Sequence, residues 1–459
     1  MTESSMEKVP GEIPGKTSRS LFKRVIRGSI WTIGGHGASQ IIRLASNLII
    51  SRLLFPEAFG LMALVYTFLA GLEMLSDFGV FPNIIQSKRG DDPKFLNTAW
   101  TLNGGRGIIL WLCACLIAWP VSIFYKEPIL QWLLPVAGLT TIMSGFVSTK
   151  WATANRHLDL RRLTIVELST QILSILIMIG CAFAAKLANA PRDLAVWSLV
   201  VGTLFASVMK LVLSHTYLKG EKNHFEWDKE SLTELARFGR WIFFTTLLTF
   251  FAIQGSNLVV PRLMGVAFMG VFSFAQNLAR LTGDIVGMLG SKVLFPSYSE
   301  LVRDRPERLY PVLRKTRLVL NWLTLAVALF FVFFGEPLIH VMYDKRYADA
   351  GWMLQILALG SLVATPGSTY TNVLLAQGKT AILTGLMAIQ VVLQFTTMFV
   401  GYYLGGDYGV IVGIAAMAWF LYPFQAICYA RLSIWQPEVD LPIIGIASGL
   451  AALIFFHRI

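Results

Sequence analysis

Six charged side chains sit well inside long apolar runs: Arg43, Glu73, Asp77, Arg106, Arg280 and Asp284. At the centre of a membrane helix each would cost roughly 2.5–3.5 kcal/mol. Together that is on the order of 15–20 kcal/mol, above a typical folding stability of about 5–15 kcal/mol. They must therefore face a wet cavity or one another. Arg43 has no acidic neighbour within its own helix, so it is a candidate free cation aimed at an anionic ligand. A guanidinium suits a phosphate because its planar fork donates two parallel hydrogen bonds. Arg106 and Arg280 extend that cationic set. Glu73 and Asp77 stand four apart, which puts both carboxylates on one face of a continuous helix. Such a pair either keeps a proton, as a proton- or sodium-coupling site does, or each acid pairs statically with an arginine. Arg280 and Asp284 are also four apart and can neutralise each other. The six histidines are scattered without ligand spacing, and Cys113, Cys115, Cys181 and Cys428 lie inside apolar runs, so no metal site is expected.

The elements that must position these groups are membrane helices. The 459 residues are 55% hydrophobic and 14% charged, against about 25% charged in soluble domains. The apolar residues come in runs near the roughly 20 residues needed to cross a bilayer. Thirteen such runs can be drawn, among them 60–84 and 130–151, giving an all-α integral membrane protein. Lys and Arg concentrate in alternate connections, beginning with Lys8, Lys16, Arg19, Lys23, Arg24 and Arg27, so the N-terminus is placed in the cytoplasm. That topology accounts for the net charge of +12 without a nucleic-acid partner. The inner loops can also touch anionic membrane lipids.

The sequence also repeats itself. SNLIISRLLFPEAFG at 46–60 returns as SNLVVPRLMGVAFMG at 256–270, with six of fifteen positions identical. Arg106, Trp111 and Leu112 return as Arg317, Trp322 and Leu323, and Gly145, Thr149 and Ala154 as Gly367, Thr371 and Ala376. Six spans separate the copies, so the halves are parallel and related by a pseudo-two-fold axis along the membrane normal. The organisation expected is a disordered tail (1–27), a six-helix bundle (28–218), an amphipathic cytoplasmic connector (219–239), a second six-helix bundle (240–430) and an extra C-terminal helix (431–459). Arg52 and Arg262, repeated in the two phrases, are expected to anchor the outer turns through carbonyls or lipid headgroups. Duplicated bundles suggest a transporter that rocks around a site at mid-membrane.

Asp77-Phe78-Gly79 resembles a kinase triplet only by composition, since the other kinase elements are missing. A stronger likeness lies in 46–80, SNLIISRLLFPEAFGLMALVYTFLAGLEMLSDFGV, with 154–168, ANRHLDLRRLTIVEL, and Leu375-Ala376-Gln377-Gly378-Lys379. These segments resemble polysaccharide flippases of the multidrug/oligosaccharidyl-lipid/polysaccharide exporter superfamily. The resemblance implies movement of a polyprenyl-diphosphate-linked oligosaccharide across the inner membrane, for exopolysaccharide, capsule or O-antigen assembly. It implies no catalytic residues and no cofactor beyond proton or sodium coupling, and polysaccharide-assembly proteins as partners. Arg43, Arg106 and Arg280 would then hold the diphosphate. Gln40, Asn47, Gln254, Asn257, Gln276 and Asn277 would line polar walls for the sugars. The alternatives are a cation-coupled multidrug exporter of the same fold and a membrane enzyme of polysaccharide assembly.

Overall fold

The computed structural model describes residues 15–77, 79–189, 191–232 and 243–458. The first half contains α1 (Gly15–Leu53), α2 (Pro56–Leu75), α3 (Val80–Gln86), α4 (Pro93–Tyr125), α5 (Leu130–Gly145), α6 (Lys150–Arg156), α7 (Leu160–Leu187) and α8 (Arg192–Thr216). The second contains α9 (Phe243–Met264), α10 (Val266–Leu289), a π-helical turn (Gly290–Leu294), α11 (Phe295–Asp304), α12 (Leu309–Met342), α13 (Ala350–Ala376), α14 (Thr380–Arg431) and α15 (Pro437–Arg458). Among the described residues, nine helices are long and apolar enough to cross a bilayer, or ten if the bent pair α5–α6 is one span. The 52-residue α14 doubles back at Gly405 and Gly406, the latter with φ 54°. Its two arms close because Gly401 and Gly409 lie bare against each other's carbonyls.

Four expectations need correcting. Residues 15–27, expected to be disordered, already belong to α1, since no helix-breaking residue intervenes before the apolar stretch. The run 60–84 is not one helix. α2 ends at Leu75, the chain turns at Gly79 with φ 66°, and α3 starts at Val80. The run 130–151 is likewise broken, with a 57° bend between α5 and α6. Of the connector, 233–239 lies outside the described residues. Its first part is an extended strap on the N-terminal bundle: Asn223 bonds Ser148 and Thr149, and Phe225 packs on Trp100 at 5.0 Å. Hydrogen bonds from Ser231 to Asp228 hold that carboxyl below the usual aspartate range and fix the following turn.

Each bundle buries its own core. In the first it includes Leu61, Val65, Ala114, Leu133 and Val200. In the second it includes Phe272, Ala275, Leu354, Met398 and Ile411. The repeated phrase forms the seam between them. A Cβ on Gly60 would strike the carbonyl of Val266, and one on Gly270 would strike that of Pro56. These are the same contact seen from both copies, as a two-fold axis requires. Around it Phe59 meets Phe274 edge-on at 4.9 Å, Tyr347 donates to the Leu54 carbonyl at 3.0 Å and Tyr125 to that of Leu258 at 3.0 Å. The bundles are thus closed against each other at the end bearing the repeated turns. Gly270→Leu is expected to destabilise the protein by about 1–3 kcal/mol through overpacking. Gly105→Leu, with open space around it, should leave the apparent melting temperature in detergent unchanged.

Candidate functional site

Arg43 on α1 and Arg280 on α10 come from opposite bundles and lie within electrostatic range of one another. Arg43 is open, and its guanidinium has no hydrogen-bond partner among the described residues. Arg280 donates to the carbonyl of Ile253 at 3.0 Å. Arg280 and the exposed Asp284 form no direct ion pair among the described residues, yet Asp284 acts on Arg280 electrostatically more strongly than Arg43 does. Arg280 thus feels the attraction of Asp284 and, more weakly, the repulsion of Arg43.

The other sequence-selected charges are arranged differently. Asp77 is not on the face of α2 with Glu73. It follows the cap of that helix, and its Oδ1 accepts from the Gly79 N–H at 2.9 Å, fixing the turn into α3. The one-face carboxylate pair fails because the helix ends between the two residues. Arg106 donates to the Ser76 hydroxyl at 3.0 Å and to the Glu73 carbonyl at 2.7 Å. It thereby caps the negative end of α2 and makes no contact with Arg43 or Arg280 among the described residues. Glu73 is surrounded electrostatically by Arg106 and Lys210. Lys210 lies 4.6 Å over the Trp151 ring and lines the same cavity as Glu73. Arg52 and Arg262 bond no carbonyl among the described residues. Arg262 stacks on Phe124 at 5.2 Å, and Arg346 donates to the Ser51 carbonyl instead.

Two cavities occupy repeat-related positions. One, of about 410 Å³, lies between α2, α3, α4, α5, α6 and α8 and contains Glu73, Asn103, Thr149 and Lys210. The other, of about 450 Å³, lies between α10 and α13 and contains Arg280, Asp284, Thr365, Thr371 and Asn372. Thr149 and Thr371 are repeat counterparts, whereas the position of Glu73 is taken by Gly283. The scaffold is symmetric and its charges are not. Of the expected polar walls, Asn257 donates to Gln254 at 2.7 Å and Gln276 to Ser256 at 3.1 Å, so part of that amide set serves α9 and α10 themselves.

A buried cluster at the base of the second bundle escaped the sequence reading. Arg317, the repeat counterpart of Arg106, is fully enclosed and ion-paired with the equally enclosed Asp440 on α15. Its Nε donates to Thr369 at 2.8 Å, and Tyr422 donates to the other Asp440 oxygen at 3.0 Å. In the sequence Arg317 stands beside other basic residues, Arg314 and Lys315. The available signal was its match to the intramembrane Arg106.

The family described as "Polysaccharide biosynthesis protein" matches residues 49–351. The chain belongs to this family. It is similar to a lipopolysaccharide biosynthesis protein, WzxC, of Escherichia coli, at 21% identity over 95% of this chain and 89% of that protein. It is also similar to the succinoglycan biosynthesis transport protein ExoT of Rhizobium meliloti, at 22% identity over 79% of this chain and 71% of that one. Its fold matches that of lipid II flippase MurJ in an inward closed conformation, with TM-score 0.67 and 13% identity over 95% of this chain and 93% of the other. The family places this all-α chain, with its long apolar helices, in polysaccharide biosynthesis, and the likeness to the solved structure is one of fold.

Proposed function

We propose that this polysaccharide biosynthesis protein is a flippase that carries a polyprenyl-diphosphate-linked oligosaccharide across the cytoplasmic membrane by alternating access. The observation that carries the reading is that Arg43 and Arg280, one from each bundle, lie within electrostatic range of each other, with Arg280 lining a cavity. A diphosphate bridging them would relieve their repulsion and couple the two bundles, so that one ligand senses both. Arg106, committed to the end of α2, adds positive field rather than a contact. With the N-terminus in the cytoplasm, the closed seam at Gly60 and Gly270 lies outside, and the bundles open inward to receive the head group. The prenyl chain stays in the bilayer while the bundles rock. Proton or sodium coupling would use Glu73 or Asp284, the exposed intramembrane carboxylates beside the two cavities.

The multidrug reading fits less well, because the intramembrane guanidiniums of Arg43 and Arg280 repel a cationic drug. An assembly enzyme would need catalytic groups outside the membrane, and the connection at 343–349 is only a short turn around Lys345–Tyr347. The test is reconstitution of the protein in proteoliposomes with a fluorescent polyprenyl-diphosphate oligosaccharide. Its transfer between leaflets should exceed that of protein-free vesicles. Equal rates with and without protein would refute the flippase reading. An imposed proton or sodium gradient that leaves the rate unchanged would remove the coupling.

A further inference from the structure

The cavity that holds Arg280 has a second, uncharged wall. Along α13, Ser361, Thr365, Ser368 and Asn372 recur at helical spacing, with Thr371 beside them, and all five line it. From Ser361 to Asn372 the wall runs about 16 Å. A smaller cavity of about 230 Å³ shares Ser368 and Thr371 and adds Gln390, Gln425 and Tyr429 from α14. The hydroxyl protons of Ser361, Thr365 and Ser368 go to carbonyls of their own helix, leaving oxygen lone pairs toward the cleft. Thr371, Asn372, Gln390 and Gln425 make no hydrogen bond to any described residue. They therefore offer both donors and acceptors. Two amides lie flat against bare backbone: Asn372 over Gly290, where the π-helical turn starts, and Gln425 over Gly367.

The duplicated half carries different residues at the corresponding positions. At the offset that aligns Thr149 with Thr371, the counterparts of Ser361, Thr365, Ser368 and Asn372 are Leu139, Met143, Phe146 and Lys150. The first three are apolar, and Lys150 is spent on the His215 carbonyl at 2.9 Å. The hydroxyls that line the first bundle's cavity, Thr140, Ser144 and Ser148, do not fall on these counterpart positions, so the wall on α13 is not a copy of that one. Neutral groups that both give and accept hydrogen bonds match the hydroxyls of a sugar. We propose that this cleft between α10, α13 and α14 is the carbohydrate subsite, receiving the sugars nearest a diphosphate held at Arg280. The proposal rests on the flippase reading and adds to it where the glycan lies.

The test measures binding by the purified full-length protein of two probes: polyprenyl diphosphate, and the same lipid bearing an oligosaccharide. Wild type should bind the glycosylated lipid more tightly. Thr371→Val with Asn372→Leu should weaken that binding roughly tenfold, as expected for two lost hydrogen bonds, and leave the bare lipid diphosphate unchanged. Arg280→Ala should weaken both. An equal loss for both lipids in the double variant, or no loss for either, overturns the subsite and leaves the flippase reading standing. Failure of wild type to bind either lipid overturns the flippase reading, and the subsite with it.

Discussion

Asp440→Ala is expected to cost about 3–5 kcal/mol of stability, the usual result of stripping the partner from a buried ion pair. Arg317 has no exposed surface, and its remaining acceptors are neutral: Thr369, Gln436, Tyr370 and the Pro366 carbonyl. None can replace a carboxylate. Against a typical total of about 5–15 kcal/mol, the loss should leave little folded protein. The same cluster ties α15 to the second bundle, since Tyr370 and Tyr422 both reach Asp440 and Trp435 donates to Tyr422 at 3.1 Å. Arg317→Met combined with Asp440→Leu should recover at least half of the loss, because it removes both charges together. The readout is the apparent melting temperature in detergent. A wild-type melting temperature for Asp440→Ala would show that the pair carries no such weight.

Arg43→Ala and Arg280→Ala are each expected to slow leaflet transfer roughly 10- to 100-fold, the range for losing a charge-assisted hydrogen-bonding group worth about 1.5–3 kcal/mol. Arg280→Glu should be worse than Arg280→Ala at equal expression. It would set a second carboxylate one turn from Asp284 and reverse the field that faces Arg43. Arg43→Lys should retain part of the activity, since it keeps the charge but loses the planar fork. Equal rates for Arg280→Glu and Arg280→Ala would mean that the sign of charge there is immaterial.

The repeat was the most legible part of this protein. Gly60 and Gly270 had to be kept because each bare backbone seats on the other copy's chain, so a structural requirement appears directly as a sequence match. The pairing of Arg43 with Arg280 was legible in part. Their position in apolar runs showed that they must face a cavity, but not that they come within electrostatic range of each other, because that depends on how two bundles pack. Asp77 was misread for a local reason. An apolar run continues through Ser76–Gly79, while the left-handed turn at Gly79 ends the helix. Hydropathy does not register that turn. Arg317 and Asp440 lie at the margins of apolar runs, where charges ordinarily meet water. Only the packing of α15 against α12 and α13 encloses them.

The most direct measurement is leaflet transfer of a fluorescent polyprenyl-diphosphate oligosaccharide in proteoliposomes, comparing wild type with Arg43→Ala plus Arg280→Ala at matched, folded protein. The account predicts rapid protein-dependent transfer for wild type and a rate near that of empty vesicles for the double variant. Undiminished transfer by the double variant would contradict it.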